Sequence, residues 1–181
     1  VVKGFFPLEK DPQDLAIRIF KAPIWFDLNL GKLTEKEAIQ AYSQFLDLPP
    51  SKIEELMDVV RESLIPLEGS FELLDELYEQ GVPLYSITDN IVEIIDYLKK
   101  RYNFLHKFKG VIVSGEIGVL KPSPIIYQTL LEKYELIPQE CIFIDDLEKN
   151  IIGAREVGIH GIVFSDAQQC RQELRRLGVH I

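Results

Sequence analysis

Cysteine is scarce in this chain of 181 residues: Cys141 and Cys170 are the only two, and their spacing is not that of a zinc site. Cys141 opens an apolar run, so a buried free thiol is preferred over a bridge, in a reducing compartment. Basic residues are in deficit too, with 20 Lys and Arg against 29 Asp and Glu and a formal net charge of −9. Such a field repels polyanions and offers no basic stripe, which argues against a nucleic-acid partner. Affinity for a small phosphate would then have to come from local groups. No apolar run approaches the length of a membrane span, and no charged-then-apolar leader opens the sequence, so a cytoplasmic protein without a membrane partner is expected. Methionine occurs once, at Met57, so Val1 is not expected to be the native start. Internal repeats and low-complexity segments are also lacking.

What is present suits one folded domain with an insertion: 46% of residues are hydrophobic and 27% charged. From about Glu68 onward, short β-branched runs alternate with amphipathic stretches, the pattern of βαβ units and a parallel sheet. Strands are expected at residues 82–87, 110–113, 141–144 and 161–164. Helices are expected between them and at 167–177, with Gly81 and Gly158 as stops. The first part reads as helices at 11–20, 34–46 and 51–64, with Pro49-Pro50 as a break. Thr34 with Glu37 and Ser51 with Glu54 both have the spacing of a capping box. Trp25 to Gly31 reads as a loop of this helical part, with Trp25 and Phe26 either packing against the sheet or lining an entrance. The fold class is therefore α/β, a doubly wound, Rossmann-like parallel sheet with an N-terminal helical cap. Residues 8–66 form the cap, and residues 1–7 with 67–181 form the core.

Ligands of such sheets bind beyond the carboxyl ends of the strands. Thr88, Ser114 and Asp145 fall there. The Thr88 hydroxyl could bind a phosphoryl oxygen, helped by the amides of Asp89 and Asn90 if these open a helix, or could serve as a helix cap. Lys121, stiffened by Pro122, could offer its ammonium to the same group. Asp145 and Asp146, adjacent at the end of an apolar strand, repel each other and call for a cation or for donors. Magnesium suits such a pair, because it takes oxygen ligands and is held by one or two carboxylates beside a substrate phosphate. The plainer alternative is that Asp146 caps the next helix while Asp145 faces solvent.

Three motifs in this order, Ser86-Ile87-Thr88-Asp89-Asn90, Leu120-Lys121-Pro122-Ser123-Pro124 and Phe143-Ile144-Asp145-Asp146, resemble the haloacid dehalogenase superfamily. Within it the chain is similar to the sugar-phosphate phosphatases related to the N-terminal phosphatase domain of epoxide hydrolases. Asp89 stands where that family usually has asparagine, and Ser123 where it usually has an acidic residue. The resemblance implies a magnesium-dependent phosphatase of a small phosphorylated metabolite, working through an aspartyl-phosphate. It assigns Thr88, Lys121 and Asp145 to catalysis, Asp89, Asn90 and Lys121 to substrate binding, and Asp145 and Asp146 to the metal. It also implies a first motif, an aspartate nucleophile with an acid-base aspartate two residues later, at the end of a central strand. Nothing supplies it here. Asp27 imitates it without a preceding strand, and roughly a dozen residues upstream of Val1 are expected to be absent, leaving the chain inactive and the neighbouring strand edges unpaired. A metal-independent 2-haloacid dehalogenase and a non-catalytic relative that binds phosphate or a partner are the competing readings. A receiver domain uses similar residues in the reverse order.

Overall fold

The computed structural model describes residues 1–6 and 10–181. The expected boundary between residues 7 and 8 lies outside the described residues.

The N-terminal helices form where local chemistry starts them. After α1 (Val2–Phe5), Asp11 caps α2 (Pro12–Phe20), accepting from the amides of Gln13 and Asp14 at 3.1 and 2.9 Å. The stretch around Trp25 is not a loop. Pro23 opens a seven-residue helix, α3 (Pro23–Asn29), because proline suits a position whose N–H would be unpaired anyway. Trp25 packs edge-on against Phe20 at 5.1 Å between centroids, whereas Phe26 stays exposed. The expected capping box of Thr34 and Glu37 starts α4 (Glu35–Leu46). The second one is absent: α5 (Pro50–Glu62) begins at Pro50 with Pro49 as its cap, which places Ser51 inside the helix. Leu15, Ile19, Ile39, Tyr42, Ile53 and Leu56 bury the apolar faces of these helices together, and Val2 joins them. The Tyr42 hydroxyl, fully buried, donates to the carbonyl of Ile19 at 2.7 Å.

The remainder alternates as expected. In order come α6 (Ser70–Glu79), β1 (Leu84–Thr88), α7 (Val92–Arg101), β2 (Phe108–Val113), α8 (Ser114–Ile117), α9 (Pro124–Lys133), β3 (Ile142–Asp145), α10 (Glu148–Glu156), β4 (His160–Val163) and α11 (Ala167–Arg176). Gly81, at φ +77°, makes the turn out of α6 that a side chain would resist. The buried thiol is Cys170 rather than Cys141, since Cys170 lies on the inner face of α11 while Cys141 sits at the half-exposed mouth of β3. Both are free, and burial pushes the Cys170 thiol up to about 11.

Among the described residues all strand pairing is parallel, but it forms two pairs, β1 with β2 and β3 with β4. The pairs belong to one layer. On one face, Tyr85 and Ile87 of β1 share a core with Phe143 of β3 and with Ile126, Tyr127 and Leu130 of α9. On the other, Leu84 and Ile144 share a core with Leu73 of α6 and Leu174 of α11. Helices on both faces make this the doubly wound arrangement. Yet among the described residues no ladder joins β1 to β3. Every residue of β3 is only half-buried, where a strand inside a parallel sheet is buried on both faces.

Candidate active site

Because the strands run parallel, Thr88 and Asp145, the last residues of β1 and β3, come to the same edge of the layer. Lys121 joins them from the turn between α8 and α9. Its Nζ donates to Asp145 Oδ2 at 2.7 Å, and both side chains are largely buried, at 13% and 7% exposure. The ammonium also lies 5.8 Å from the centroid of the Phe143 ring. The other Asp145 oxygen accepts from the amide of Leu147 at 2.9 Å and from Asn150 Nδ2 at 2.8 Å. Burial pushes the Asp145 carboxyl up, but Lys121 and these two donors outweigh it and hold it below the usual carboxylate range.

Asp145 therefore ties down the start of α10, and Asp146 does not cap it; the cap position is Leu147, with no side-chain bond. The Asp146 carboxylate is exposed and makes no hydrogen bond or ion pair among the described residues. The amides of Asp89 and Asn90 do not open a helix, because α7 begins at Val92. Nor does Thr88 cap α7. Thr88 Oγ1 accepts from Asn90 Nδ2 at 2.7 Å. Asp89 Oδ1 accepts from the main-chain N–H of Lys121 at 3.0 Å. Burial raises the Asp89 carboxyl, the Lys121 amide and charge oppose this, and the negative charge of Asp145 adds to it.

Ser114, expected at the rim, is fully buried and spent on structure: its hydroxyl lies 2.8 Å from the carbonyl of Asn29 and 3.2 Å from that of Asn90. Asp27 is on the exposed side of α3, paired with Lys32 at 3.2 Å, and is no candidate nucleophile. Residues that the sequence reading did not assign support the site. Asn150 is buried, its carbonyl accepts from Tyr127 Oη at 2.7 Å, and its Oδ1 has no partner among the described residues. Gly153 lets α10 approach the Lys121 loop: a Cβ there would lie 2.3 Å from the carbonyl oxygen of Pro122. Gly153→Ala is expected to push that loop away, lowering stability by about 2 kcal/mol by overpacking and weakening any anion bound by Lys121. Thermal unfolding and phosphate titration would check both.

The Asp89 shift has its own consequence. A carboxyl raised in the folded state favours the protonated form, so its ionisation costs stability that appears only as pH rises through the folded value. Asp89→Asn should therefore unfold at a higher temperature than the parent at neutral pH. Near pH 3, below the ordinary carboxylate range of about 4, the difference should vanish. Melting curves at the two pH values would show it.

As a cation site the doublet is a hard-oxygen donor set, which fits Mg²⁺ in kind. Among the described residues no three Asp, Glu, His or Cys side chains gather to hold a metal. Asp145 and Asp146 could thus supply at most part of a coordination shell.

The order of hydroxyl, lysine and acidic doublet at one sheet edge is that of a known family, whose model, described as haloacid dehalogenase-like hydrolase, matches residues 28–164. The chain belongs to the haloacid dehalogenase-like hydrolases. It is 28% identical over 159 residues to a sesquiterpene phosphatase of Aspergillus oryzae, covering 88% of this chain and 81% of the relative. To flavin mononucleotide hydrolase 1 of Arabidopsis thaliana it is 28% identical over 163 residues, covering 87% of this chain and 63% of that one. Among solved structures, a haloacid dehalogenase-family enzyme of Bacteroides thetaiotaomicron in complex with magnesium and inorganic phosphate superposes with a TM-score of 0.74 at 20% identity, over 91% of this chain and 84% of that one. That likeness establishes the shared fold. For a haloacid dehalogenase-like hydrolase, the separation of β1 from β3 is the feature most in need of explanation.

Proposed function

We propose that this protein is a magnesium-dependent phosphatase of small phosphate esters. The observation that carries the reading is the Lys121–Asp145 pair, 2.7 Å apart and largely buried at the edge where Thr88 also ends its strand. A largely buried ammonium held in place by a carboxylate is a ready partner for phosphoryl oxygens. The relatives named as a phosphatase and as a flavin mononucleotide hydrolase support the same chemistry.

In this reading Lys121 balances charge on the phosphoryl group and Thr88 orients it, with Asn90 holding the threonine hydroxyl. Asp145, with Asp146, would hold Mg²⁺, which supplies neutralisation of phosphoryl charge. The nucleophile this reading requires would be an aspartate at the same edge, and none of the described residues takes that place. Its carboxylate oxygen attacks phosphorus, the ester oxygen leaves with a proton from a second aspartate, and water then hydrolyses the aspartyl-phosphate. Residues 8–66 would act as a cap over this edge, with Phe26 exposed on it.

The test is hydrolysis of a panel of phosphate esters by the protein as encoded in its gene, with and without magnesium. Turnover that disappears in chelator supports the proposal. Phosphate binding without turnover would instead favour a non-catalytic relative, a reading to which the absence of a third metal-binding carboxylate among the described residues lends weight. Release of halide from a 2-haloacid in chelator would favour a dehalogenase.

A further inference from the structure

We propose that Asp89 is a positioning residue that fixes the main chain of Lys121, and not a group that touches substrate; the inference rests on the phosphatase reading for its effect on phosphate. Asp89 follows directly on Thr88, at the edge where a phosphoryl group would sit. A carboxylate facing that group would repel it. The geometry gives the side chain another task, since Oδ1 accepts from the backbone N–H of Lys121 at 3.0 Å, across 32 residues of sequence. The loop after β1 is thereby joined to the loop that carries the ammonium.

Lys121 needs such a fixture. A lysine has four flexible side-chain bonds, so its Nζ is placed well only if its main chain is held first. Two other contacts hold that turn: the Ser123 amide donates to the Leu120 carbonyl at 3.0 Å, and Pro122 lies against Gly153. Neither bonds the Lys121 backbone itself. Asp89 does so from the β1 side, while Asp145 takes the ammonium at the other end of the same residue. An ionised acceptor makes the stronger bond to an amide. An asparagine oxygen could make the same bond without the charge, so the carboxylate is a matter of strength and the contact a matter of position.

The experiment compares Asp89→Asn and Asp89→Ala with the parent protein by amide hydrogen exchange at Lys121, titration with inorganic phosphate, and kcat and KM on an ester the parent hydrolyses. The Asn variant should keep the Lys121 amide protected and bind phosphate at least as tightly as the parent, since one negative charge is gone. The Ala variant should lose protection at Lys121 and bind phosphate about tenfold more weakly, the effect of one lost charge-assisted hydrogen bond. Its kcat should fall while that of the Asn variant is retained. An Ala variant whose Lys121 amide stays protected, or an Asn variant that loses as much as Ala, overturns the proposal. If the parent binds no phosphate at all, the phosphatase reading fails, and exchange at Lys121 still decides whether the tether exists.

Discussion

Asp145→Ala is expected to unfold about 3 kcal/mol more easily than the parent, the cost of leaving a buried charge without its partner, and, made in the protein as encoded in its gene, to show no magnesium-dependent turnover. The substitution strips three donors at once. Lys121, at 13% exposure, keeps its charge without a counter-ion, and the Leu147 amide and Asn150 Nδ2 lose their acceptor. Asn150 is worst placed, because its Oδ1 already lacks a partner among the described residues. A double variant, Lys121→Met with Asp145→Leu, should recover much of the loss, since an apolar pair can replace a buried ion pair at little cost. The pH dependence has a definite sign. The Asp145 carboxyl is depressed in the folded state, so its contribution is complete above the unfolded carboxylate value of about 4 and fades as pH falls through the folded value. Parent and Asp145→Ala should therefore converge in acid. Urea titrations across pH would measure this, and equal stabilities at neutral pH would refute the buried-pair account.

The second large effect concerns the missing ladder between β1 and β3 among the described residues. When the chain is preceded by an extended, β-branched segment ending in two aspartates one residue apart, we expect it to gain roughly 3 kcal/mol in stability, from ladder hydrogen bonds worth about 1 kcal/mol each less the entropy of ordering the segment. We also expect magnesium-dependent phosphatase activity to rise from background. Among the described residues β1 pairs only with β2 and β3 only with β4, each in parallel, so each strand keeps one unpaired edge. A proline in the middle of the added segment should abolish both gains, because it removes a ladder donor. Urea unfolding and hydrolysis of a chromogenic phosphate ester would report the two gains separately. If the proline version stabilises equally, the segment docks elsewhere.

Much of this was legible before the structure. Alternating β-branched runs with Gly81 and Gly158 between them specify βαβ units, and the edge at which Thr88, Lys121 and Asp145 meet follows from parallel strands. The distribution of roles within the acidic doublet was not legible. Spacing cannot tell which carboxylate turns in to accept from Leu147 and Asn150 and which faces water, because that depends on where Lys121 and Asn150 arrive from. The same holds for Ser114, a rim residue by strand position and an internal tie once α3 packs against α8. The helix around Trp25 was missed because its seven residues complete too few turns to show a period, and Pro23 was the only sign of it. Nothing in the local pattern shows that Asp89 reaches Lys121, since that contact spans two loops.

The Ser114 hydroxyl has a single hydrogen and two carbonyls within reach, those of Asn29 and Asn90. The Asn90 carbonyl also accepts from the main-chain N–H of Gly115 at 3.1 Å, so the proton can go to Asn29 without leaving Asn90 unpaired. Drawing α3 away would hand that proton to Asn90, so parting the two elements costs less than a whole hydrogen bond.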